Sequence, residues 1–150
     1  MAEPIKVLFV CTGNSARSQI AEALLTVFGG PDFAAFSAGT EPTGVRPETL
    51  RVLEELCINW SGARSKSVTE FLGQPFDYVI TVCDRARQSC PVFPGQHESL
   101  RWDIADPAEV EGSDAARLEA FRCARADISD RVLKLMETVQ MADLEPAAAF

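Results

Sequence analysis

The chain has 150 residues, 47% of them hydrophobic, and its 22 acidic against 14 basic side chains give a formal net charge of −8. That charge argues against nucleic acid as a partner, and it requires any anion to be bound by a local positive site against the field of the whole molecule. No apolar run is long enough to span a bilayer and no secretion signal opens the chain, so a single cytoplasmic domain is expected over residues 1–141, with 142–150 a frayed tail.

Residues 5–10, Ile-Lys-Val-Leu-Phe-Val, suit a buried parallel strand. Ile20, Ala23, Leu24, Val27 and Phe28 then repeat at helical spacing. Between them lies Cys-Thr-Gly-Asn-Ser-Ala-Arg-Ser, with Cys11 ending the strand and Arg17 where the helix opens. Free backbone N–H groups and the helix dipole make such a join an anion site. Gly13 permits a sharp turn, and Arg17 can offer a planar fork to two oxygens of a tetrahedral oxyanion. Cys11 in that positive field is expected to have a depressed pKa, with Ser18 donating a hydrogen bond to its thiolate. The loop thus reads as a nucleophile inside an oxyanion cradle. The competing reading of Cys11 is a small buried hydrophobe.

Gly29-Gly30-Pro31 breaks the helix. A second strand is expected over 33–38, and a second helix opens at Arg46-Pro47 with Leu50, Leu53, Glu54 and Cys57 on one face, Cys57 being read as core. Residues 65–72 suit a short helix, 77–83 a strand and 99–102 a short strand. From Asp114 to about Val139 runs a long amphipathic helix with Leu118, Phe121, Ala124, Ile128, Val132, Leu135 and Val139 inward. Cys123 falls in it as a packed or neutral surface thiol. Alternating strands and helices imply an α/β fold with a doubly wound, four-stranded parallel sheet flanked by helices. Ligands of such sheets sit beyond the carboxyl ends of the strands. Cys11, Cys83 and Asp106 each follow a strand, so all three should face one edge.

The chain holds five cysteines and one histidine, His97, with no CxxC pair, so no metal site is expected. Cys83 and Cys90, if helical, would lie about 10 Å apart, beyond the roughly 7 Å a disulfide spans. Pairing would need a rearrangement, which suits a redox switch better than a structural staple; two independent thiols are the alternative. Asp106 could protonate a leaving oxygen, or simply form an Asp-Pro turn.

With these residues the chain resembles the arsenate reductases built on the low-molecular-weight protein tyrosine phosphatase fold, in particular the thioredoxin-coupled class. The likeness covers nearly the whole chain. It rests on residues 7–19, on Ser37-Ala38-Gly39-Thr40, on Val82-Cys83 with Cys90-Pro91, and on Asp106-Pro107-Ala108. The resemblance implies that arsenate, with phosphate or sulfate as analogues, docks on the amides of Thr12, Gly13, Asn14, Ser15, Ala16 and Arg17 and on the Arg17 side chain. Cys11 then attacks arsenic, Asp106 protonates the leaving hydroxyl, Cys83 attacks the Cys11 sulfur, and Cys90 leaves a Cys83–Cys90 disulfide for thioredoxin to reduce. The two thiols supply both electrons, so no cofactor is expected; a monomer is expected, and glutaredoxin or a low-molecular-weight thiol is the alternative reductant. Many relatives carry cysteine in place of Ala16. Some hold potassium through residues matching Asn14, Glu22, Ser37 and an acidic residue where this chain has Lys66, whose ammonium is expected to replace the cation. A tyrosine phosphatase is the second reading. It would use Cys11, Arg17, Ser18 and Asp106 and leave Cys83 and Cys90 idle, but those enzymes usually have tyrosine where this chain has Ala108. A redox-sensing or interaction protein is the third.

Overall fold

The computed structural model describes residues 3–83, 93 and 97–148, with side chains as far as residue 141. Four strands, β1 (Ile5–Cys11), β2 (Phe33–Gly39), β3 (Tyr78–Thr81) and β4 (Glu98–Arg101), pair in parallel in the order β2-β1-β3-β4. Among the described residues three helices flank them: α1 (Arg17–Gly29), α2 (Pro47–Glu54) and α3 (Asp114–Ala148). The doubly wound parallel sheet is therefore as the alternation of elements predicts. Among the described residues, no helix is long and apolar enough to cross a membrane.

β1 lies between β2 and β3, and its apolar run serves both faces because successive side chains alternate. Val7, Phe9 and Cys11 join one core with Ile20 and Leu24 of α1 and the inner stripe of α3. Leu8 and Val10 join the other with Ala38, Val68 and Val79. There Phe36, Phe71, Phe76 and Phe93 meet edge to face at centroid distances of 5.5–6.0 Å, contacts worth about 0.5–1.5 kcal/mol each beyond their buried area. All seven α3 residues predicted inward are buried, and the helix continues past Val139 to Ala148. Glu55, just after α2, accepts from Arg122 and Arg125 of α3 at 2.7 Å, which ties the two helices together outside the core.

The structure corrects several boundaries. The strand predicted over 77–83 ends at Thr81, so Cys83 lies beyond it. The helix predicted over 65–72 is a 3-10 turn, Val68–Phe71, with Ser67 Oγ accepting from Thr69 N. Cys57 is not core: it is exposed, with φ of 61°. α2 stops there in a left-handed turn, Ile58 N returns to Leu53 O at 3.0 Å, and Ile58 fills the core position instead. The buried face of α2 is accordingly Thr49, Val52 and Leu53.

Candidate active site

The carboxyl edge of the sheet brings together what the topology predicts. Cys11 ends β1, Cys83 follows β3, and Asp106 follows β4, where it caps the turn Pro107–Glu109 by accepting from Ala108 N at 3.0 Å. With Arg17 at the start of α1 they line one cleft of about 530 Å³, together with Thr12, Gly13, Ser15, Ala16 and Ala108.

The loop from Cys11 to Arg17 is shaped by its carbonyls. Cys11 O accepts from Thr40 N, Thr12 O from Glu41 N, and Gly13 O from both Thr43 N and Ser65 Oγ. Asn14 O accepts from Gln19 Nε2, Ser15 O from Arg46 N and Thr49 Oγ1, and Ala16 O from Ile20 N. Every carbonyl from Cys11 to Ala16 is thus engaged by the surrounding segments. In a planar trans peptide the next residue's N–H points the opposite way, so the amides of Thr12 to Arg17 face the centre of the loop. Two glycines let this wrap close. A Cβ on Gly39 would lie 2.5 Å from Thr12 O, and one on Gly13 would lie 2.8 Å from Thr43 Oγ1. Gly13 leaves room for the Thr43 side chain rather than making a turn. The left-handed residue is Asn14, with φ of 49°.

Asn14 is also where the polar core of the site converges. Trp60 Nε1 donates to Gln19 Oε1 at 2.8 Å, which turns Gln19 Nε2 toward Asn14 Oδ1 at 3.0 Å and Arg64 O at 2.9 Å. Lys66 N also donates to Asn14 Oδ1, at 2.8 Å. Both partners of that oxygen are donors, so its identity is settled and Asn14 Nδ2 must face Ser18 Oγ, at 2.7 Å. Ser18 Oγ accepts from Asn14 and lies 2.8 Å from Cys11 Sγ, so its hydroxyl hydrogen can serve the sulfur once the thiol is ionised. Gln19 and Trp60 were not singled out from the sequence, although a glutamine among the apolar residues of a helix is a signal that a buried polar partner awaits it.

Burial pushes the Cys11 thiol above its ordinary pKa, ahead of the hydrogen bonds of the Ser18 hydroxyl, the Ser18 and Asn14 backbone and the charge of Arg17, which all pull it down. This corrects the expected depressed value, and the reason is geometric. Cys11 is only 2% exposed, and the guanidinium of Arg17 is turned to Ile104 O at 3.0 Å and Asp106 Oδ2 at 3.4 Å. Ser18→Ala, by removing a donor to the thiolate, will move the rise of Cys11 alkylation rate by iodoacetamide to higher pH and slow it at neutral pH. A profile unchanged by the substitution would mean the hydroxyl does not serve the thiolate.

Cys83 is half-buried, with Sγ 3.4 Å from Thr12 Oγ1, which places a second thiol on the rim of the loop. Cys90 lies outside the described residues. Behind the loop, Lys66 Nζ is 3.6 Å from Glu22 Oε1 and donates to Arg64 O, while Ser37 Oγ donates to the same Glu22 oxygen. Both ends of that ion pair are more than four-fifths buried, so the Glu22 carboxylate is met by an ammonium as well as by the Ser37 hydroxyl. Thr43, Arg46 and Glu109 also line the cleft and had no signal in the sequence beyond their loop positions.

Known proteins resemble this chain over most of its length. Residues 6–144 match the family described as low molecular weight phosphotyrosine protein phosphatase. An arsenate reductase of Halalkalibacterium halodurans is 36% identical over 132 residues, 88% of this chain and 95% of its own. A solved arsenate reductase in a phosphate-binding state superposes with a TM-score of 0.73 at 32% identity, over 89% of this chain and 98% of that one. A thioredoxin-dependent arsenate reductase of Corynebacterium glutamicum gives 0.74 at 33% identity, over 95% of this chain and 65% of that one.

Proposed function

Because the chain belongs to the low molecular weight phosphotyrosine protein phosphatase family, its loop is read as an oxyanion site, and we propose that the protein reduces arsenate to arsenite through Cys11, Cys83 and Cys90, with thioredoxin as reductant. The observation that carries this is the second thiol. Cys83 lines the same cleft as Cys11 and Arg17, and phosphate-ester hydrolysis has no use for it.

Arsenate binds the inward amides of Thr12 to Arg17 and two guanidinium N–H groups of Arg17. Cys11 gives up its proton to the bound arsenate dianion and its thiolate attacks arsenic; an As–S bond forms, and one oxygen leaves as water with a second proton from Asp106. Cys83 attacks Cys11 Sγ. The S–S bond forms, the As–S electron pair stays on arsenic, and arsenic(V) leaves as arsenic(III) while two thiols become one disulfide. Cys90 then attacks Cys83, which frees Cys11, and thioredoxin reduces the Cys83–Cys90 disulfide by thiol exchange. The electrons are balanced by the thiols alone.

The test is arsenate-dependent NADPH oxidation with thioredoxin and thioredoxin reductase, run beside hydrolysis of an aryl phosphate. Turnover of arsenate that stops without thioredoxin is expected. Aryl phosphate turnover alone would refute the reading in favour of a phosphatase. Some phosphatase activity is expected even so, since the loop suits phosphate as well as arsenate. Among the described residues none lining the cleft is aromatic, and Ala108 stands beside Pro107, so no aryl ring is framed there and that activity will be slow.

The Lys66–Glu22 pair supports a further expectation. With an ammonium already paired to Glu22, arsenate turnover will be the same in potassium and sodium salts at equal ionic strength. A strong potassium requirement would show that Lys66 leaves the position to a cation.

A further inference from the structure

On this acidic chain most arginines are committed to carboxylates. Arg64 holds Glu70, Arg117 holds Glu48, and Arg122 and Arg125 share Glu55. Among the described residues, Arg46 and Arg51 meet no carboxylate. Arg51 is exposed on α2 and does not line the cleft, whereas Arg46 is half-buried and does.

The placement of Arg46 is built in locally. It precedes Pro47, which restricts it to extended backbone, and its φ and ψ are −76° and 143°. Its N–H donates to Ser15 O at 3.0 Å, so the residue is anchored to the anion loop itself. The charge of Arg17 is partly met by Asp106 at 3.4 Å. Among the described residues Arg46 is therefore the uncommitted positive charge of the cleft, with Glu109 on the lining as the opposing carboxylate. A chain of net charge −8 repels anions at a distance, so capture of a doubly charged oxyanion needs such a charge near the loop.

From this we infer that Arg46 is a specificity-determining residue of the oxyanion site, drawing a dianionic tetrahedral oxyanion to the loop and holding it beside Arg17. The inference rests on the oxyanion-binding reading of the loop and not on which reaction follows.

Inorganic phosphate as a protectant of Cys11 against iodoacetamide tests it, with the modified cysteine identified by mass spectrometry because Cys57 and Cys123 are exposed and will react too. Arg46→Gln is expected to weaken phosphate protection about tenfold at low salt, the size of one unscreened charge at the rim of a cleft. Arg46→Lys should stay within about threefold of the native protein, and sodium chloride should narrow the gap to the glutamine variant. Arg51→Gln makes the same change in net charge and should leave protection unaltered. With arsenate, Arg46→Gln should raise KM and spare kcat. Equal phosphate affinities in the Arg46→Gln and Arg51→Gln variants would overturn the inference. So would a loss equal in the glutamine and lysine variants and indifferent to salt, which would make Arg46 a support of loop shape. Should Arg46→Gln fail to fold, the lysine variant and the salt dependence of the native protein decide, and salt-independent phosphate binding would overturn it. Absence of arsenate turnover in the native protein would remove the reductase reading while leaving the phosphate result to judge Arg46.

Discussion

Cys90→Ser will release one arsenite per chain and then stop, while Cys83→Ser will release none, whereas the native protein with thioredoxin continues to turn over. The difference follows from where the electrons come from. Attack of Cys11 on arsenate makes a covalent adduct but leaves arsenic at its original oxidation state. Only a second thiol striking Cys11 Sγ leaves the As–S electron pair on arsenic. Cys83 borders the loop through Thr12 at 3.4 Å and is placed to be that thiol, so without it the adduct has no exit. Without Cys90 the first reduction still occurs, but the protein is left as a Cys11–Cys83 disulfide with its nucleophile consumed. Steady-state rates in both variants should fall by about a thousandfold or more, as expected when a covalent step is removed rather than slowed. Arsenic speciation after mixing prereduced protein with excess arsenate, without reductant, reads the count directly. Both variants should retain phosphate protection of Cys11, since neither side chain belongs to the anion loop. Cys57 is poorly placed to substitute, because it lines a separate cavity with Leu50 and Glu54. Continued turnover by Cys83→Ser would end the relay scheme.

What could be read from the sequence was what periodicity and strand ends carry. The inner stripe of α3 follows from helical spacing. The convergence of Cys11, Cys83 and Asp106 follows from the rule that parallel strands end on one edge. What could not be read depends on contacts distant in the chain. Cys57 fitted the apolar spacing of α2, yet a left-handed stop after Glu54 moved the core position to Ile58. The inward turn of the loop's amides follows in large part from carbonyls held by residues 40–49 and Ser65, which no local motif displays. The pKa of Cys11 failed for the same reason. The loop motif predicts the donors that lower it, but the burial that raises it is a property of the packed fold.

Asp106→Asn will lower kcat for arsenate by about a hundredfold to a thousandfold, the range for loss of a positioned general acid, while phosphate binds as well as before or better. The substitution is conservative in structure. Asparagine can still accept from Ala108 N, so the turn Pro107–Glu109 keeps its cap, and Arg17 remains held by Ile104 O at 3.0 Å and Val82 O at 3.5 Å. What is lost is a carboxyl that can pass a proton to the departing oxygen, so arsenic must expel a poorer leaving group. What is gained is the release of Arg17 from a carboxylate 3.4 Å away, which frees its fork for the oxyanion. The two effects separate the roles open to this residue. An acid acts in the chemical step and its loss appears in kcat; a residue that only anchors Arg17 would weaken anion binding when altered, and its loss would appear in KM and in phosphate protection of Cys11. Arg17→Lys provides the contrast, since it discards the fork and should weaken phosphate protection and kcat/KM together, the latter by about a hundredfold to a thousandfold. If Asp106→Asn instead reproduced the Arg17→Lys pattern, Asp106 would be an anchor for the arginine and the proton would have to come from elsewhere in the cleft.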